Sequence, residues 1–174
     1  AESAQGESGQ AKDSVIVTMP STSEPEAGFD PVYGWGAGEH VHEPLIQSTL
    51  TTTTADLKIG KDLATDYSVS EDGLTWTVTI RNDVKFTDGE PLTASDVAFT
   101  YNLCVQNSSV NDFTMLKEAV ALDDTTVEFH MNTPFSIWPY TMAIVGIVPE
   151  HAYDENYGQN PIGSGRYLMK QWDK

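Results

Sequence analysis

The chain has 174 residues, enough for one or two small domains and for a core that removes roughly two-thirds of the unfolded surface from water. Its 26 acidic residues against 9 basic give a formal net charge of −17, which repels a phosphate backbone or an anionic membrane surface, so no nucleic-acid partner is expected. No run of about 20 apolar residues is present, and a single cysteine, Cys104, excludes an internal disulfide and a multi-thiolate metal site.

Residues 1–13 are small and polar without periodicity, cannot repay the entropy of ordering, and are expected to form a flexible leader. The N-terminus holds no apolar h-region, so any export signal is expected to have been removed or to lie outside this sequence. Val15, Val17 and Met19 then alternate in a short strand that ends at Pro20. Residues 30–38 form a loop in which Gly34, Gly36 and Gly38 permit close backbone approach, while Tyr33 and Trp35 offer flat apolar faces with polar tips. The four threonines at 51–54 favour an extended edge or strand.

Residues 64–73 read as a turn leading into the clearest strand of the chain. There Leu74, Trp76, Val78 and Ile80 alternate with Thr75, Thr77, Thr79 and Arg81, one face for the core and one for water. Asp72-Gly73 and Asp88-Gly89 bracket this region with residues that tolerate positive φ. Thr93 with Asp96 three residues later is an acidic variant of a capping box. The helix it opens places Val97, Tyr101 and Cys104 on one face, with Ala94 and Leu103 beside it. Cys104 is therefore expected to be a buried, unreactive thiol.

A second helix is predicted within residues 108–121, around Phe113, Leu116 and Val120. After the Asp123-Asp124 turn, residues 125–131 alternate with Val127, Phe129 and Met131 inward and His130 outward, until Asn132-Thr133-Pro134 ends the strand. Residues 136–145 predict a short helix beginning near Pro139. A final strand over 167–172 buries either Tyr167, Met169 and Gln171 or the opposite set, Leu168, Lys170 and Trp172. Strands and helices without a steady βαβ rhythm define an α+β (mixed α/β) chain.

Catalytic patterns are scarce. No G-x-S-x-G elbow, P-loop, H-E-x-x-H or paired-carboxylate arrangement occurs, and Gly163-Ser164-Gly165 reads as a turn, so the chain is not expected to be an enzyme and no cofactor is predicted. His40 and His42, beside Glu43, are the only cluster with metal-ligand residue types. They share one face if the segment is extended and diverge by about 200° if it is helical. The bland reading, two ordinary surface or lobe-interface histidines, stands beside the metal one because no third ligand is evident nearby.

Several stretches resemble the family 5 extracellular solute-binding proteins of bacterial ABC importers. They are residues 64–90; the continuation Asp88-Gly89-Glu90-Pro91-Leu92-Thr93-Ala94-Ser95-Asp96-Val97-Ala98-Phe99; Val148-Pro149-Glu150-His151-Ala152-Tyr153; and Pro161-Ile162-Gly163-Ser164-Gly165-Arg166-Tyr167. The resemblance implies the small subdomain of a periplasmic-binding-protein type II-like fold, with the first strand and re-entry strand of the large lobe and the second lobe absent. Its segments would be a leader at 1–13, the first large-lobe segment at 14–40, the small α+β subdomain at 41–160 and re-entry at 161–174. It also implies a short helix within 39–50, interrupted by Pro44.

By the same resemblance the function is a non-catalytic, monomeric receptor outside the cytoplasm, lipid-anchored in some relatives. It holds a small-molecule solute between two lobes and delivers it to a membrane ABC permease. Peptide is the expected solute, with Tyr33, Trp35, Phe113 and Trp138 as candidate wall residues. A nickel or metal chelate is the alternative, with His40 and His42 as candidate metal ligands, although nickel-type relatives tend to place an arginine in the stretch matching 141–149 and this chain has none there. A metal-dependent hydrolase or metal-sensing module built on His40, His42 and Glu43 is the reading from a different class.

Overall fold

A computed structural model describes residues 14–18, 27–33, 44–107 and 111–173. Its centre is an antiparallel sheet of four strands, β3 (Ala64–Val69), β4 (Thr75–Ile80), β5 (Leu116–Ala121) and β6 (Thr126–Met131), in the order β3-β4-β6-β5. β4 and β6 are central because both alternate cleanly. Trp76 pairs with Phe129 and Val78 with Val127 on the buried face, and Thr77 pairs with Glu128 on the other. The β3–β4 turn is closed locally by Asp72, whose carboxylate accepts from the Leu74 N–H and the Ser70 hydroxyl. Gly73 and Gly89 both take positive φ, at 73° and 96°, as the two Asp-Gly turns require.

Helix α1 (Ala94–Asn107) covers the inner face of the sheet with Ala94, Val97, Tyr101 and Cys104, all buried as the helical spacing predicts. At its start Asp96 accepts from the Thr93 N–H at 2.9 Å and from the Thr93 hydroxyl at 3.1 Å. Its other carboxylate oxygen accepts from the Glu150 N–H at 3.0 Å, so one residue caps the start of the helix and ties it to the chain 54 positions later. Asn102 bonds both backbone groups of Ala119 at 2.9 Å, pairing the outer edge of β5 with a side chain rather than a strand.

A small hairpin of β1 (Thr51–Thr53) and β2 (Ile59–Lys61) stands beside the sheet, with the short helix α2 (Trp138–Thr141) against it. The Thr51 hydroxyl donates to the Pro139 carbonyl at 2.6 Å. The proline sits in the first turn of α2, as the sequence predicts. Beyond α2 the chain makes two single 3-10 turns, Glu150–Ala152 and Tyr157–Gln159, and runs without helix or strand, bending at 165–166, to residue 173.

Four expectations are corrected. Residues 116–121 are strand β5, not part of a helix. The register shifts between Leu116 and Glu118, so Leu116 and Ala119 both face inward at a spacing of three, which mimics a helical period. Residues 64–69 are strand β3 rather than a turn, and the same irregularity between Ala64 and Asp66 brings Ala64 and Tyr67 to the core side. Residues 44–50 contain no helix, with Leu45 exposed and Leu50 fully buried. Residues 14–18 and 167–172 form no strand; the Tyr167 N–H donates to the Leu45 carbonyl at 3.0 Å, and one such bond does not make a ladder.

Candidate solute-facing site

The segment 27–33, which leads into the predicted aromatic loop, is seated by contacts from three later parts of the chain. The Phe29 N–H donates to the Gly158 carbonyl at 2.8 Å, and the Gln47 amide donates to the Phe29 carbonyl at 3.0 Å. Gly28, at φ +66°, and Gly158 lie so close that a Cβ on either would strike the backbone of the other's segment. The Phe29 ring meets Trp172 edge-on at 5.0 Å.

Asp30 is 5% exposed. One carboxylate oxygen accepts from the Val32 N–H at 2.9 Å and the other from the Tyr153 hydroxyl at 2.8 Å. Burial pushes the Asp30 carboxyl above its usual range against the opposing pull of those two bonds. Burial raises the Tyr153 phenol too, and the adjacent Asp30 carboxylate adds to the effect. Tyr153 in turn packs edge-on against Phe99 of α1 and beside Tyr157, whose hydroxyl donates to the Ile162 carbonyl at 2.7 Å.

Of the four predicted wall residues, Tyr33 is 43% exposed at the end of this seated segment. Phe113 and Trp138 lie in the core instead. Trp138 is wholly buried and packs on Tyr101 and Phe129 at 5.6 and 5.2 Å, and Phe113, 4% exposed, meets Tyr101 edge-on at the floor of a separate open pocket with Asn111 and Asn132. Trp35, and the metal candidates His40 and His42 with Glu43, lie outside the described residues. Among the described residues no group of three or more His, Cys, Asp and Glu could hold a metal ion.

The histidines that are described are bound to carboxylates: His130 lies between Glu128 at 3.0 Å and Glu118 at 3.3 Å on the polar sheet face, and His151 meets Asp88 at 2.7 Å. Cys104 is buried, with its thiol pushed up to about 12 by desolvation. An open groove of about 420 Å³, lined by Gln159, Asn160, Pro161, Met169, Lys170, Gln171 and Trp172, adjoins the Phe29 contact. Sequence reasoning missed Phe29, Asp30, Tyr153 and Trp172. The signals were the Asp30-Pro31 step before the loop and the tyrosine that ends the stretch Val148–Tyr153.

The α+β body thus presents one braced segment, 27–33, beside an open groove. The model for bacterial extracellular solute-binding proteins, family 5 (middle region), matches residues 58–174, and the chain belongs to that family. Proteins of the family bind solutes rather than transform them. The chain is 29% identical over 167 residues to the probable D,D-dipeptide-binding periplasmic protein DdpA of Escherichia coli, a match that takes in 89% of this chain and 32% of that protein. NikZ of Campylobacter jejuni, solved in complex with Ni(L-His), superposes with a TM-score of 0.77 at 29% identity, over 87% of this chain and 32% of its own. AppA of Bacillus subtilis, an oligopeptide-binding protein solved with a nonapeptide, gives 0.71 at 29% identity, over 88% and 33%. The chain thus spans about a third of the length of these relatives. No described helix is long and apolar enough to cross a membrane.

Proposed function

We propose that the chain is part of a non-catalytic receptor that captures peptides outside the cytoplasm and delivers them to an ABC permease. The observation that carries this is the bracing of 27–33. Four separate contacts, to Gly158, Gln47, Tyr153 and Trp172, hold the entry to the aromatic loop, and preorganised walls are what solute capture needs. Relatives whose names or structures report dipeptide and nonapeptide binding support the solute class. On this reading 14–40 and 161–174 belong to a large lobe and 41–160 to the small subdomain, and a lipid anchor before residue 1 would tether a monomer. Tyr33 and Trp35 form part of one wall, and a second lobe closes over the solute by a hinge movement.

A metal chelate is the second reading, favoured by the fit to NikZ, with His40 and His42 as its ligands. Calorimetry with di-alanine, tri-alanine and glutathione on the full-length protein and on the 174-residue chain tests the proposal. The full-length protein should bind at least one, and the shorter chain at least about 100-fold more weakly, a loss of about 2.7 kcal/mol. Equal affinities would place the whole site within the shorter chain and refute the two-lobe account. Hydrolysis of these peptides that disappears in His40→Ala or His42→Ala would refute the receptor reading.

A further inference from the structure

Asp30 is a buried carboxylate with no described ion pair in a strongly acidic chain. Both of its described donors, the Val32 N–H and the Tyr153 hydroxyl, are neutral. Such a group costs more to bury than the asparagine of the same shape, and two neutral hydrogen bonds only partly offset the loss of water. If the site served stability alone, the amide would serve at least as well. What the charge adds is bond strength, since hydrogen bonds to a carboxylate are about twice as strong as neutral ones.

Those bonds are spent at one place. Oδ1 fixes the backbone two residues ahead, immediately before Tyr33, and Oδ2 reaches 123 positions along the chain to Tyr153. Tyr153 is itself braced by Phe99 of α1 and by Tyr157. The carboxylate therefore connects the exposed end of the segment directly to the body of the fold.

We propose that Asp30 is a positioning residue for solute capture: its carboxylate pins 30–33 to Tyr153, and so sets where Tyr33 stands, at a cost in stability. This rests on the receptor reading above and adds to it the residue that keeps the wall in place. Stability and solute affinity should then move in opposite directions when the charge alone is removed.

The test uses Asp30→Asn and Tyr153→Phe in the full-length protein. Thermal melting, hydrogen exchange over residues 29–33 and calorimetry with di-alanine, tri-alanine and glutathione are compared with wild type. Asp30→Asn should melt at or above wild type at neutral pH. Its exchange over 29–33 should nevertheless be about 10-fold faster, the difference between a charge-assisted and a neutral hydrogen bond. Affinity for the tightest-binding peptide should fall by a similar factor, about 10-fold. Tyr153→Phe should accelerate exchange in the same segment.

Unchanged exchange in both variants, or faster exchange with unchanged affinity, would overturn the proposal. So would an Asp30→Asn protein that melts lower and exchanges faster throughout the chain, the mark of a residue that only holds the fold together. If wild type binds none of the three peptides, the peptide reading fails by itself, and the exchange over 29–33 still decides whether Asp30 pins the segment.

Discussion

Trp76 tests the register of the sheet and the state of its indole in one pair of substitutions. The side chain is 6% exposed, faces Phe129 across the β4–β6 ladder and packs on Tyr67 at 6.2 Å. Burying about 200 Å² of indole at about 25 cal/mol per Å² is worth about 5 kcal/mol as an upper figure. The same indole N–H finds no acceptor among the described residues, which costs about 1 to 3 kcal/mol. Trp76→Ala gives up the first quantity, leaves a cavity and recovers the second, for a net loss of about 3 to 5 kcal/mol. Trp76→Phe gives up only about 50 Å², roughly 1.3 kcal/mol, and also sheds the unpaired donor, so it should lie within about 1 kcal/mol of wild type. Urea melts followed by far-UV circular dichroism give both values. An alanine variant that costs under about 1 kcal/mol would refute the register, and a phenylalanine variant as costly as alanine would show that the indole N–H is paired.

Asn102→Ala removes both bonds to Ala119 and should cost about 2 kcal/mol in the same melts, with hydrogen exchange accelerated first in β5. Cys104 should resist a thiol reagent in the native state at mildly alkaline pH and react on unfolding, because burial raises its thiol to about 12. Folding raises the pKa of His130 through its hydrogen bond to Glu128 and then that to Glu118. The stability this cluster contributes is therefore fully present below the unfolded value of 6.5 and is lost as pH rises through the higher folded value. Urea melts across that range should show the decline, and His130→Gln should flatten it.

What the sequence made legible is what two-fold and 3.6-fold periods can carry. β4, β6 and α1 follow from the alternation of Trp76, Val78 and Ile80, from that of Val127, Phe129 and Met131, and from the spacing of Val97, Tyr101 and Cys104. β3 and β5 were hidden because each carries a register shift that breaks the period. Aromatic character alone did not reveal that Phe113 and Trp138 are buried, since a ring that suits a wall suits a core equally well. The seating of 27–33 was illegible for a different reason. Asp30 and Tyr153 meet across 123 positions, and no local pattern announces a contact of that kind.

Native mass spectrometry of the full-length protein, purified without added ligand, tests the central claim most directly. The account predicts a fraction of the protein carrying one peptide-sized organic mass, released on denaturation and replaced when an excess of a binding peptide is added. Retention of a metal ion without any organic mass, lost in His40→Ala and His42→Ala, would contradict it.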